Sequence, residues 1–123
     1  IETVCETSLN DVVLHLIAPN KIHWLFLQPW KDRYPKSRLY AAPGLEQRKV
    51  VKDLKFDVIL SDTPDPSYTD DIDQVVFGGS VMDEVVFFHK VSKTVIFCDL
   101  IQRFPQDQQK GFKGWLMRRN NVV

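Results

Sequence analysis

Short apolar runs separated by turn-forming residues constrain this chain more than any other feature. The run Val12–Ile17 is rich in β-branched side chains and is stopped by Ala18-Pro19-Asn20. Its shortness and its composition are typical of a strand that is covered on both faces. The same reasoning predicts further strands over Arg38–Ala42, Phe56–Leu60, Gln74–Phe77, Val85–His89 and Thr94–Cys98.

Helical segments are predicted between these strands. Asn20 has the side chain of an N-cap for a helix over Lys21–Leu27, and Pro29 either stops that helix or begins another that runs to Tyr34. Other helical segments are predicted over Glu2–Asn10, Leu45–Leu54 and Pro105–Arg119. Helices alternate with strands first, and antiparallel strands follow. This order predicts one α/β domain with a mixed sheet and flanking helices.

The composition is that of an ordinary globular domain. Its 16 basic and 16 acidic residues balance, so no general attraction to nucleic acid or to an anionic membrane is expected. No apolar run approaches the roughly 20 residues that span a bilayer. We therefore expect a cytoplasmic protein in which Cys5 and Cys98 are reduced and mostly buried thiols.

Two segments resemble the metallo-β-lactamase-like family. The segment Ile17–Pro43 has the layout of a strand that delivers H-x-H-x-D-H, then a helix, then a short K/R-[VIL]-[YW]-A strand. The segment Gly79–Leu100 is similar to the later part of that family, which runs from G-H-[ST] to a hairpin ending in F-[TS]-G-D. The resemblance implies an αββα sandwich, of which residues 1–123 would form a single partial domain.

The short sequence motifs of this chain resemble even more those of a divergent subfamily, the domain of unknown function DUF4336. Strings of that subfamily are matched by Ala18–Phe26, Tyr40–Leu45, Asp73–Val75 and Glu84–Thr94. The strands that normally open the family domain are not matched. We therefore expect an apolar sheet face that would need a partner chain or would favour self-association.

The ligand positions of the family are only partly kept. Related hydrolases hold one or two metal ions, which lower the pKa of a bound water to roughly 7. By position, the first motif falls on Ala18, Asn20, Ile22 and His23. The later histidine falls on Ser80, and the hairpin aspartate is retained as Asp99. The resemblance therefore implies that the two-metal centre is lost and that His23 and Asp99 are the metal-ligand candidates that remain, fewer than the three or four ligands of stable zinc sites.

The pocket candidates are Asn20, His23, Ser80, His89 and Asp99. Most of them also have an ordinary structural interpretation. Asn20 is a capping residue, His23 forms hydrogen bonds in a first helical turn, and Asp99 forms a turn. His89 and His15 are interpreted as histidines bonded within their strands, and Cys98 as a buried inert thiol.

Three functions stay open, and the catalytic residues are unknown. The leading hypothesis is a hydrolase-like domain without cofactor that binds a ligand or a protein partner, including a second copy of itself. The first alternative is a hydrolase with a remodelled site around His23 and Asp99, which would hold one zinc, iron or manganese ion and recruit a ligand such as His89. The second alternative is a structural subunit of a larger assembly.

Overall fold

The computed structural model describes residues 13–78 and 83–101. In these ranges the chain is a mixed α/β structure with two three-stranded sheets and one α-helix. The helix α1 covers Leu27–Arg33, and Lys49–Val51 forms one turn of 3₁₀-helix. The strands are β1 (His15–Ala18), β2 (Arg38–Ala41), β3 (Val58–Ile59), β4 (Ile72–Phe77), β5 (Glu84–His89) and β6 (Thr94–Ile96).

The first sheet has the strand order β1-β2-β3 and is parallel throughout. In its register His15 lies opposite Arg38, and Ala18 lies opposite Ala41. The segment that contains α1 links β1 to β2, and Leu27 of that helix packs into the core beside Leu39. Because the strands are parallel, the carboxyl ends of β1 and β2 lie at the same edge of the sheet.

The second sheet has the order β4-β5-β6 and is antiparallel. The predicted mixed sheet is therefore wrong for the described residues, in which parallel and antiparallel strands form separate sheets. The predicted hairpin between its last two strands is confirmed, with Lys93 at a φ of 55° in the tight connection. Strand β6 ends at Ile96, earlier than predicted. It ends there because the backbone N–H groups of Cys98 and Asp99 donate to the side chain of Glu84 instead of continuing the ladder.

The two sheets share a core and meet at one corner. Tyr40 of β2 and Leu60, which directly follows β3, pack in one cluster with Val85 and Phe87 of β5. At the corner, the N–H of Val85 donates to the carbonyl of Pro19 across 2.8 Å, and an isolated bridge pairs Asn20 with Glu84. The carboxyl end of β1 is thereby fixed against the amino end of β5.

The predicted helix over Leu45–Leu54 is wrong. Successive backbone bonds join Leu45 to Ala42, Arg48 to Leu45 and Val51 to Arg48, and each spans three residues rather than four. This bonding gives a series of turns with a single 3₁₀ turn. Leu45 and Val51 are both buried, so core packing favours this tighter path over an α-helix.

Two other predicted elements differ from the structure. The helix predicted over Lys21–Leu27 is wrong, because residues 21–26 form bends and turns. The observed helix matches the alternative at Pro29–Tyr34 and begins slightly earlier, at Leu27, with Pro29 in its first turn, where a missing N–H costs little. Strand β1 begins at His15 and is only partly buried, with Leu14 before it 59% exposed, so burial on both faces is wrong for this strand. The helices predicted over Glu2–Asn10 and Pro105–Arg119 lie outside the described residues. In the part of the chain that is described, no helix has the length and apolar character to cross a membrane.

Candidate functional site

The candidate site lies at the corner where the ends of three strands meet. Asn20 follows β1, Glu84 opens β5, and Cys98 and Asp99 follow β6. His23 lies in the turns after β1. We call these five residues the strand-end corner: Asn20, His23, Glu84, Cys98 and Asp99.

Asn20 is fully buried and uses both ends of its amide. Its Oδ1 accepts hydrogen bonds from the backbone N–H groups of Ile22 and His23, at 3.0 and 3.1 Å. Its Nδ2 donates to Asp99 Oδ2 at 3.1 Å and to Glu84 Oε2 at 3.3 Å. The capping role predicted for Asn20 is confirmed, although it caps a turn, and the side chain also joins the segments after β1 and β6.

Glu84 is a buried carboxylate with only 1% of its surface exposed. Its Oε1 accepts the backbone N–H of Cys98 and its Oε2 that of Asp99, both at 2.7 Å. Burial acts to raise the pKa of Glu84, but the N–H groups of Cys98 and Asp99 and the amide of Asn20 outweigh it and hold that pKa below its ordinary value. Glu84 is therefore ionised at neutral pH.

His23, Cys98 and Asp99 bring three kinds of metal-binding atom together. His23 Nδ1 lies 3.3 Å from Cys98 Sγ, and His23 Nε2 lies 3.3 Å from Asp99 Oδ2. One ligand atom from each of the three residues lies within 4.8 Å of the other two. One nitrogen of His23 would ligate the ion, and zinc bonds of about 2.0 Å to nitrogen and 2.3 Å to sulfur suit ligand atoms roughly 3–4 Å apart. This group could therefore hold a metal ion.

Cys98 is exposed, so the expectation of a buried thiol is wrong for this residue. Its backbone is turned by the bond from its own N–H to Glu84, which carries its Sγ beside His23 instead of continuing β6. Partial burial and the carboxylates of Asp99 and Glu84 raise the pKa of the Cys98 thiol. The thiolate is accordingly unfavourable there unless a positive charge joins the cluster.

One other pocket candidate, His89, lies away from the corner. His89 lies at the opposite end of β5 from Glu84, about 17 Å along the strand, where its Nδ1 contacts Ser92 Oγ at 2.6 Å. Ser80 lies outside the described residues. His15, interpreted as structural, has its Nδ1 3.0 Å from the Tyr40 hydroxyl. The structure therefore brings together Asn20, His23 and Asp99 of the five candidates.

Two hollows adjoin the strand-end corner. An almost wholly apolar cavity of about 270 Å³ lies between the sheets, and Cys98 is part of its lining. The other lining residues are Ile17, Pro19, Ile72, Val85, Phe87, Ile96 and Phe97. A second hollow of about 380 Å³ is lined by His23 together with Ile22, Leu25, Phe26, Leu27 and Trp30. His23 and Cys98 thus each face a different apolar space.

No protein-family model, curated protein or solved structure matches this chain. The chemistry of the strand-end corner is the remaining guide to function.

Proposed function

We propose that this chain is a divergent metallo-β-lactamase-like domain that binds one divalent metal ion through His23, Cys98 and Asp99. The observation that carries the proposal is the convergence of an imidazole, a thiol and a carboxylate within 4.8 Å. Two of these ligands, His23 and Asp99, occupy positions that the family resemblance assigns to metal binding. The αββα architecture is part of the proposal, and two sheets that share a core support it.

The donor set favours zinc over manganese. Thiolate and imidazole ligands suit zinc, whereas manganese prefers sites made of oxygen atoms. Three protein ligands are the usual number in catalytic zinc sites, which keep a fourth position for water or substrate. The ion, when bound, would supply a Lewis acid and a water of lowered pKa for hydrolysis.

The charges around the cluster also favour a cation. Asp99 and the buried Glu84 both carry negative charge next to the Cys98 thiol, and they raise its pKa. A divalent ion reverses this effect, because a bound cation stabilises a coordinating thiolate. The same carboxylates weigh against a metal-free function in which Cys98 acts as a nucleophile, since that chemistry needs a lowered thiol pKa.

Calorimetric titration of metal-free protein with zinc tests this proposal. A Cys5→Ser background removes the other thiol of the chain. We expect one zinc ion per chain in that background and a large loss of affinity in the Cys98→Ser variant. Cobalt(II) in place of zinc should give a sulfur-to-metal charge-transfer band that disappears with Cys98. Absence of zinc binding in the folded background protein would refute the proposal.

The second candidate function is metal-free binding of an apolar ligand. The apolar cavity between the sheets favours it, because its volume is close to the lower limit of small-molecule pockets. Octanoate is a suitable probe, and NMR shifts of the methyl groups of Ile17, Ile72 and Val85 would report its entry. If metal-free protein binds octanoate while zinc does not bind, this second function is favoured over the first.

A further inference from the structure

Glu84 and Asn20 form a polar pair that is buried inside the corner. They are 1% and 0% exposed, and the amide of Asn20 donates to the carboxylate of Glu84. An ionised carboxylate is costly to bury unless its oxygens receive hydrogen bonds. Both oxygens of Glu84 do receive them, from two backbone N–H groups and from Asn20.

Each member of the pair touches more than one of the ligand-bearing positions. Asn20 accepts the N–H of His23 and donates to the carboxylate of Asp99. Glu84 accepts the N–H groups of Cys98 and Asp99. All three proposed ligands are therefore fixed, through the backbone or the side chain, to two residues that offer no atom to the ion themselves.

We infer that Glu84 and Asn20 are positioning residues that preassemble the ligands for the metal ion. The inference rests on the proposed metal centre and adds that its affinity depends on this buried pair. Without the pair, only the contacts of His23 with Cys98 and Asp99 would link the segment after β1 to the segment after β6 at the corner through side chains. Binding of the metal ion would then have to order both segments, and the affinity for the ion would fall. Groups that orient metal ligands typically contribute 10- to 100-fold in affinity.

The Glu84→Gln variant tests the role of the carboxylate. Glutamine has one acceptor oxygen, so it can satisfy only one of the two backbone N–H groups and presents its own N–H to the other. We expect zinc affinity to fall roughly 10- to 100-fold and the cobalt(II) charge-transfer band to weaken or shift. Asp57→Asn is the matched control, because Asp57 Oδ2 also accepts a backbone N–H, from Leu39 at 2.8 Å, but outside the corner. This control should bind zinc and cobalt like the background protein.

The Asn20→Ser variant separates the two roles of Asn20. A serine hydroxyl can still cap the turn at Ile22 and His23, but it lacks the amide that donates to Glu84 and Asp99. We expect a loss of zinc affinity and, because the buried carboxylates lose a donor, a moderate fall in the melting temperature of the metal-free protein as well. If Glu84→Gln fails to fold, the zinc affinity of Asn20→Ser still tests whether the buried pair positions the ligands.

Amide hydrogen exchange at Cys98 and Asp99 gives a metal-independent measure of the pair. Their N–H groups should exchange slowly in the metal-free background protein, faster in Glu84→Gln, and at the background rate in Asp57→Asn. Unchanged exchange and unchanged metal affinity in both corner variants would overturn the inference while leaving the metal centre intact. Failure of the background protein to bind metal would refute the centre, and the exchange rates would still show whether the pair holds the ligand segments.

Discussion

Asn20 Nδ2 lies 3.1 Å from Asp99 Oδ2, although 79 positions separate the two residues in the sequence. This bond joins the end of β1 to the segment after β6, and the neighbouring His23 and Cys98 come into contact beside it. The candidate centre therefore depends on long-range packing of strand ends.

Replacing His23 should abolish tight metal binding. The His23→Ala variant removes the only imidazole of the cluster, and two remaining protein ligands are too few for a stable zinc site. Zinc titration should show at least a 100-fold weaker affinity. His89→Ala is the matched control because His89 lies at the other end of β5, and it should bind zinc normally. Equal affinities of the two variants would contradict the assignment.

The reactivity of Cys98 should follow the charge of Asp99. In metal-free Cys5→Ser protein, partial burial and the carboxylates of Asp99 and Glu84 raise the pKa of the Cys98 thiol. Alkylation by iodoacetamide at neutral pH should then be slower than for free cysteine. Asp99→Asn removes one negative charge, lowers that pKa and should speed alkylation several-fold. The pH dependence of the alkylation rate measures the shift, and a rate unchanged by Asp99→Asn would contradict the electrostatic account.

Glu84 should make the fold sensitive to acid. Its pKa in the folded chain is below the ordinary value, so the ionised form stabilises the folded state. That contribution is present above roughly pH 4.3, the ordinary glutamate value, and is lost as the pH falls through the lowered folded value. Urea unfolding between pH 3 and pH 7 should show a smaller acid-induced loss of stability for Glu84→Gln than for the unaltered chain. Identical pH profiles would show that Glu84 is not the responsible group.

Gly44 should resist substitution because of its backbone conformation. Its φ is +79°, and an added Cβ would lie 2.8 Å from Lys21 Cε. Gly44→Ala should therefore lose about 1–2 kcal/mol in the free energy of unfolding, the usual cost of left-handed backbone for a residue with a Cβ. Gly78→Ala is the control, since a Cβ there would meet Asp83 Oδ1 at an ordinary 3.7 Å. Denaturant unfolding of both variants measures the difference, and equal losses would contradict this explanation.

The strands were predictable because each is a short apolar run between turn residues. The hairpin after His89 is predicted by the short link Lys90–Lys93 between two such strands, and the structure confirms it. The segment Leu45–Leu54 could not be assigned correctly from its helical composition. Its three-residue bonding follows from burial of Leu45 and Val51 in the tertiary structure. Such packing overrides local propensity.

The sequence identified part of the candidate site. Asn20, His23 and Asp99 were named through the family resemblance and do meet at the corner. Glu84 was missed because its partners lie 14 and 15 residues further along the chain, and the available signal was a single acidic residue opening an apolar strand. The role of Cys98 likewise depends on the turn that Glu84 imposes. The family itself, the possible protein partner and the structural-subunit hypothesis stay predictions.

Anomalous diffraction from zinc-loaded crystals, with data on both sides of the zinc absorption edge, tests the central claim most directly. We predict one peak per chain, about 2.0 Å from a nitrogen of His23, about 2.3 Å from Cys98 Sγ and about 2.0–2.2 Å from an oxygen of Asp99. A zinc peak bound elsewhere, with no density at the strand-end corner, would contradict it.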